Sequence, residues 1–451
     1  FYAALLGLTF FGLSRLPSGV IPTQDQGYVV INVTLPDGAS LERTQRVCDK
    51  IVELCLGPVG ADGKRQSNQG IDGVAHTTVV AGYSIFAQAN ISNAAGVYVT
   101  LEPFHHRPGK HADSILRVLN ERLATIQEAQ AQAFGAPPIL GLGNAGGFKM
   151  QIQDRNNYGE SVLEGAATNL ITQVAADAVK NPGIVGTFST YRSGAPQLEI
   201  VIDSDRCFRM GIPDAQVKSA LQIYLGSQYV NDVTIDGRNY QVNVQGAAEY
   251  RSRVEDIGAL KVRSPSGQMV PLAGLVRIEP SDGPTKVNRF NLYPAADING
   301  FNIPFLMSSG QALARMEAIA QRELPPGMTY AWTDMAFQQK RASNTQVKIP
   351  GLFSFRGDTT LLVFALSSVF AYLVLAFLYE SLLLPLAVVL IVPMCLFAAT
   401  VGLLIASLDL NVFTQIGLVV LVGLASKNAI LIVEFAKMQV EQGAMRREAA
   451  V

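Results

Sequence analysis

The chain has 451 residues, 49% hydrophobic and only 16% charged, with 35 basic against 36 acidic side chains. That length calls for about three domains, and a net charge of −1 gives no electrostatic reason to expect nucleic acid as a partner. The apolar excess is concentrated after Leu361, so residues 14 to 355 read as aqueous protein and the rest as membrane protein.

In chain order, "FYAALLGLTFFGLSRLP" offers 13 residues before Ser14 and Arg15, with neither a basic leader nor a small-residue cleavage site. It reads as the tail of a transmembrane helix rather than a signal peptide. With "MRREAAV" reading as a helix interrupted in mid-course, we expect a fragment of something longer. "YVVINVTL" places Val29, Ile31, Val33 and Leu35 on one face, the mark of a half-buried strand. A helix over "SLERTQRVCDKIVELCL", a strand at "GVYVTLEPF" and a helix over "SILRVLNERLATIQ" follow, the last with Ile115, Leu119, Leu123 and Ile126 on one stripe. Val97, Val99 and Leu101 share a strand face, so Tyr98 points away from them.

The series then repeats. "FKMQIQD" alternates, "SVLEGAATNLITQVAADAV" is helical until Asn181-Pro182-Gly183, and "GIVGTFST" extends again. Such a repeat suits a split βαβ module with helices on one face of an antiparallel sheet. The second copy is interrupted by a short helix and two hairpins, one turning at Asp236-Gly237 and one at Pro265-Ser266-Gly267. The helix "GQALARMEAIAQREL" and the strand "GMTYAWT" then complete it, so residues 197 to 284 read as an insertion. Cys48, Cys55, Cys207 and Cys395 lack metal-ligand spacing and read as unpaired packing residues. His105, His106 and His111 have no surrounding ligand set and read as a solvated turn, so no metal is expected.

Three uncharged stretches end the chain: Leu361 to Tyr379, Leu382 to Leu408, and Leu410 to Val433, the third broken only by Lys427. Each is long enough to cross a bilayer. Lys437, Arg446 and Arg447 place the last end in the cytoplasm and residues 14 to 355 on the opposite side. A lysine at the centre of a span is disfavoured by roughly 2.5–3.5 kcal/mol, so Lys427 needs an acid or a water-filled cavity, unless it snorkels to the headgroups.

Four motifs in order, "RLPSGVIPTQDQGYVVINVTLPDGAS", "SQYVNDVTIDGR", "LYESLLLPLAVVLIVP" and "VGLASKNAILIVEFA", together resemble the C-terminal half of the resistance-nodulation-division (RND) efflux pumps, the hydrophobe/amphiphile family typified by AcrB. The resemblance covers nearly the whole chain. It implies an α+β periplasmic region of split-βαβ, ferredoxin-like porter subdomains with an inserted docking subdomain, and an all-α transmembrane bundle. The expected division is residues 1–16 as the end of a transmembrane helix, 17–135 as a first porter subdomain, 136–196 with 285–340 as a second, and 197–284 as the docking subdomain. A connector at 341–360, transmembrane helices at 361–379, 382–408 and 410–435, and a cytoplasmic tail at 436–451 follow.

By the same resemblance the chain is no enzyme and needs no cofactor. It implies a homotrimer in the bacterial inner membrane that works with a periplasmic adaptor protein and an outer-membrane channel to export small amphiphilic substrates against protons. Lys427 stands where the family's lysine faces two aspartates of another helix, neither of them in this chain, in a proton relay. Tyr83, Ile85, Tyr98 and Phe134 fall at substrate-pocket positions. Gly82 and Asn93 belong to a gating loop, expected from Ala81 to Ala95 and mobile because its small and polar residues bury no core of their own. Asp236 and Gly237 tip a docking hairpin. Rival readings are a heavy-metal exporter, against which stands the lack of methionine between residues 1 and 149, a lipid or protein export factor, and a noncatalytic membrane scaffold.

Overall fold

The computed structural model describes residues 2–17, 19, 21–22, 24–60, 65–66, 69–303, 306–343, 346–349, 353–356, 360–406, 408–443 and 445. Arg446 and Arg447 of the expected tail, and parts of the expected connector, lie outside these residues. The fold is mixed α/β, with several antiparallel sheets and a set of apolar helices.

Helix α1 (Tyr2–Arg15) leads into β1 (Tyr28–Thr34), α2 (Leu41–Leu56), β2 (Val74–Ser84), β3 (Ala89–Leu101), α3 (Ala112–Leu123) and β4 (Gln130–Gly135). The sheet order is β2-β3-β1-β4 with every neighbouring pair antiparallel. Ser40 starts α2 by accepting from the Arg43 N–H, which satisfies one of the orphan donors of a helix N-terminus. Val47, Cys48, Ile51 and Cys55 of α2 and Ile115, Leu119 and Leu123 of α3 close over Val29, Ile31, Val33, Val97 and Val99. Burial pushes the Cys48 thiol up to about 11 and the Cys55 thiol up to about 12, so both stay neutral and serve as packing groups. All four cysteines are free.

Strand β1 departs from expectation: Val30, on the face away from the helices, is as buried as Val29 and Ile31. The reason is a second cover on the sheet, described with the site below. Strands β2 and β4 were also not expected.

The chain continues through β5 (Phe148–Asp154), α4 (Glu160–Lys180) and β6 (Ile184–Phe188). Residues Arg192–Thr285 then form a separate compact unit. It contains β7 (Ala195–Ile202), α5 (Ser204–Arg209), α6 (Asp214–Leu221), β8 (Gln228–Ile235), β9 (Arg238–Val244), α7 (Val254–Ala259), β10 (Lys261–Arg263), β11 (Met269–Pro271) and β12 (Val276–Gly283). Strands β7 and β12 pair along eight residues, and Cys207, Ile212, Val217, Leu272 and Leu275 form the unit's core.

Beyond it come β13 (Arg289–Phe290), β14 (Tyr293–Asn302), α8 (Ser309–Glu323), β15 (Met328–Thr333) and α9 (Asp334–Ser343). Strand β14 lies between β6 and β5, and β15 flanks β5. This repeats the strand order of the first sheet, with α4 and α8 in place of α2 and α3. A reciprocal capping box of Ser308 and Gln311 starts α8. Leu163, Leu170, Leu313, Met316 and Ile319 of the two helices bury Met150, Ile152 and Ile298.

Strands β16 (Gln346–Ile349) and β17 (Phe353–Arg356) pair as a short hairpin just before α10 (Thr360–Tyr379). Then come α11 (Leu383–Val389), α12 (Val392–Ile405) and α13 (Val412–Glu441). Two stretches, Leu383–Ile405 and Val412–Glu441, are long and apolar enough to cross a membrane. The first of these falls within the span expected at 382–408, and its hydrogen-bond ladder is interrupted once. The interruption falls at Leu390 and Ile391, which keep helical dihedrals, because Pro393 in the first turn of α12 has no N–H to carry the ladder across. Side chains such as Phe377, 89% exposed, and Leu383, 79% exposed, are an apolar surface suited to lipid rather than water. Helix α1 joins this set: its Gly12 lies against Thr400 of α12, and Tyr2 donates to the Leu390 carbonyl at 2.9 Å.

Candidate functional site

Helix α13 begins at Asn411, whose side chain accepts from the Thr414 N–H at 3.0 Å. It buries Leu418, Val422, Ala425, Ser426 and Ala429, a stripe with small residues in its later turns that lets neighbouring helices approach closely. Lys427 lies on the opposite, exposed side with Leu424 and Leu431. Among the described residues it has no ion-pair partner. Asp409 is bonded to Asn411 at the start of the helix, and Glu434 lies about 10 Å further along α13 at 1.5 Å per residue.

A second feature lies where the open face of the first sheet meets the second. Thr78, Tyr98, Val30 and Phe134 stand side by side across β2, β3, β1 and β4, all on the face away from α2 and α3. Phe86 meets Phe134 edge-on with centroids 5.3 Å apart and Phe188 edge-on at 4.9 Å. Phe134 stacks on Phe301 at 4.3 Å. Each such pair contributes roughly 0.5–1.5 kcal/mol beyond its area, and this cluster, with Gln132 lying over Gly186 of β6, is the second cover that buries Val30.

The stretch expected as a mobile loop from Ala81 to Ala95 is instead strand on both sides of a tight turn, with Ile85, Phe86 and Ala87 buried. It does bury a core, because the turn curls back over its own sheet: a Cβ on Gly96 would fall 2.3 Å from Ile85 Cδ1. Asn144 Nδ2 donates to the Ile85 carbonyl at 2.7 Å, and Lys286 Nζ donates to the Ala87 carbonyl. Gly82 occupies a bulge in β2 at φ +80°, a conformation costly for residues with a Cβ. Asn93, buried in β3, donates to the Leu35 carbonyl at 3.0 Å.

The structure thus brings Ile85 and Phe134 to one place. Tyr98 shares the sheet face of Phe134, half-buried, and Tyr83 is half-buried beside Asn90 near the tip; the ring contacts described include neither tyrosine. Phe86, Phe188 and Phe301 were missed by sequence reading, since nothing in the linear pattern joins positions so far apart. Phe86, next to Ile85 in "SIFA", was the one within reach.

A clamp under the first sheet was also missed. Arg107 holds Asp25 through two bonds of 2.6 and 2.8 Å and donates to the Glu102 carbonyl at 2.7 Å. Asp25 also accepts from the Gly27 and Ala112 N–H groups. The Arg107 guanidinium, helped by these N–H groups against the opposing effect of burial, holds the Asp25 carboxyl down at about 2.

In the Arg192–Thr285 unit, β8 and β9 form a hairpin exposed at every residue. Asp236 at φ +49° and Gly237 at φ +74° make its turn, both positive as tight two-residue hairpins favour.

The whole chain, residues 1–451, matches the AcrB/AcrD/AcrF family. Among curated proteins it is 33% identical over 455 residues to the toluene efflux pump membrane transporter TtgB of Pseudomonas putida, covering 100% of this chain and 40% of that protein. It is 32% identical to the multidrug export protein AcrF of Escherichia coli, over 95% of this chain and 38% of that one. Against the multidrug resistance protein MdtF of Escherichia coli the figures are 29%, 97% and 39%. The chain thus spans about two fifths of the length of the relatives it matches.

Proposed function

The chain belongs to the AcrB/AcrD/AcrF family, and on that premise we propose that it is the C-terminal half of a proton-driven RND transporter that exports amphiphilic and hydrophobic compounds, drugs among them. In this reading the two sheets are split-βαβ porter subdomains in the periplasm, 17–135 and 136–196 with 285–340, and 197–284 is a docking subdomain. The apolar helices belong to a bundle in the bacterial inner membrane. Tyr83, Ile85, Tyr98 and Phe134, joined by Phe86, Phe188 and Phe301, receive the substrate, and Gly82 and Asn93 flank the hairpin tip that admits it. The exposed hairpin at Asp236 and Gly237 seats on a neighbouring copy of a homotrimer, which hands substrate to an adaptor protein and an outer-membrane channel.

The observation that carries the reading is the place of Lys427: mid-helix, on the side of α13 turned away from the neighbours it buries. A cation there needs acids from another helix. Protonating those acids weakens the ion pair and releases the ammonium, which turns proton uptake into a change of helix packing. A potential of 100 mV supplies about 2.3 kcal/mol per charge to that step.

The test is Lys427→Met in the full-length pump, with efflux from energised cells measured at matched expression. The variant is expected to insert, since a charge that is costly in mid-span is gone, and to lose transport. Lys427→Arg keeps the charge, but its wide planar head suits the site poorly and it too is expected to be largely inactive. Full activity of the methionine variant overturns the relay.

A further inference from the structure

Helix α13 does not begin in free solvent. Its capping residue Asn411 is only 5% exposed and donates to Asp409 Oδ1 at 2.8 Å. Between these two, the Leu410 N–H donates to the Pro17 carbonyl at 2.8 Å, and the Gly19 N–H donates to the Leu410 carbonyl at 3.3 Å. The start of the lysine-bearing helix is thus stitched by backbone bonds to the segment that leaves α1 and runs toward β1.

The contact is close enough that a side chain at Gly19 would push the Asp409 carboxylate out of its place. A Cβ on Gly19 would fall 1.7 Å from Asp409 Oδ2 and 3.5 Å from the Ser309 hydroxyl. Ser309 is the first residue of α8, the helix that backs the second sheet, and it accepts from Gln339 of α9 at 3.1 Å. One carboxylate therefore sits among the cap of α13, the strand leader of the first sheet and the first turn of α8. A carboxylate beside a helix N-terminus is favoured by the helix dipole, which adds to the bonding.

We infer that Asp409 is a positioning residue in a transmission joint: through the Pro17–Gly19 and Asp409–Asn411 contacts, the outer end of α13 moves as one body with the leader of β1. Lys427 lies 16 residues from the cap, about 24 Å along a helix that rises 1.5 Å per residue. An unbroken helix transmits an axial shift over that length, and the joint applies it to the first sheet, which then moves against the second. Those sheets meet at the Phe86, Phe134, Phe188 and Phe301 cluster, so a shift of α13 reaches the aromatic site without any contact between the two. The inference rests on the transport reading above.

The experiment uses the full-length pump with three variants, Gly19→Ala, Asp409→Ala and the double variant Pro17→Cys with Leu410→Cys. Lys427→Met is the reference. Efflux is measured in energised proteoliposomes, and equilibrium binding of a fluorescent amphiphilic substrate is measured on the same detergent-solubilised samples. Gly19→Ala wedges the joint and Asp409→Ala empties it. Each is expected to lower efflux several-fold with substrate binding unchanged, a split that general misfolding does not produce. The cysteine pair is expected to form a disulfide on oxidation and to keep its efflux, because partners that travel together lose nothing by being tied. The inference is overturned if the disulfide does not form, if it stops transport, if Gly19→Ala exports at the unaltered rate, or if binding falls along with efflux. Should Gly19→Ala fail to insert, the cysteine pair decides alone. Activity in Lys427→Met overturns the transport reading itself, whereas a dead Lys427→Met beside a fully active Gly19→Ala removes only the joint.

Discussion

Asp25 gives a prediction whose size follows from the structure. Its carboxyl falls from an ordinary value of 3.8 to about 2 in the folded chain, chiefly through Arg107. A shift of that size corresponds to about 2.5 kcal/mol of stability at neutral pH. Because the folded value is depressed, this stability is fully present above the unfolded value near 3.8 and is lost as pH falls through it toward 2. About half should remain near pH 3. Arg107 is 3% exposed, so the loss of its carboxylate leaves a buried charge uncompensated. Asp25→Asn imitates the protonated acid and should therefore be less stable than the unaltered chain by about 2.5 kcal/mol at pH 7. The difference should shrink as the pH is lowered, because the native residue converts to the same uncharged state. The assay is urea unfolding of the detergent-solubilised full-length protein followed by circular dichroism at several pH values between 7 and 3. A gap that stays constant over that range, or no gap at pH 7, refutes the reasoning.

The aromatic site and the hairpin give further tests. Phe86→Leu keeps apolar volume but removes two edge-to-face contacts, so binding of aromatic substrates should weaken several-fold with little change in melting temperature; unchanged binding would take Phe86 out of the pocket. Gly237→Val forces a β-branched residue to φ +74°, at a cost of roughly 1–2 kcal/mol. It should weaken assembly and spare substrate binding, read by the capture of neighbouring envelope proteins with a crosslinker at Asp236, and undiminished capture would count against the seat.

The helices that back the sheets were legible from their apolar spacing: Ile115, Leu119 and Leu123 of the foreseen stripe are buried against the first sheet, whereas its fourth member, Ile126, lies past the helix end at Leu123 and is half-buried. Strand β14 was not legible, although it is central in its sheet. Its middle reads Ala-Ala-Asp-Ile-Asn-Gly, and the polar members Asp297 and Asn299 are buried, satisfying one another and Thr190. With Ala295, Ala296 and Gly300 around it, Ile298 is the one large apolar side chain in that middle, too little for the alternation by which strands are recognised. The site failed in a similar way. Ile85 and Phe134 came from resemblance, but Phe188 and Phe301 belong to another sheet, and only the meeting of two sheets brings them near. The turn at Ile85 was taken for a loop because its burial depends on a glycine eleven positions away, Gly96, which offers the room to fold back.

The bare hairpin of β8 and β9 has a consequence for how the protein comes into being. Two strands exposed along their whole length, with Tyr229, Val233, Ile235 and Tyr240 among the uncovered side chains, gain little from folding alone, since an isolated two-stranded ribbon is marginal in water. On the proposed seat, its order comes largely from the neighbouring copy that receives it. On that proposal maturation of this region is a bimolecular event, faster when newly made chains are abundant and slow when they are scarce. Until a partner arrives, both strand edges remain open to any other extended backbone. The most vulnerable moment in the life of the chain falls after its domains have formed and before its neighbours have.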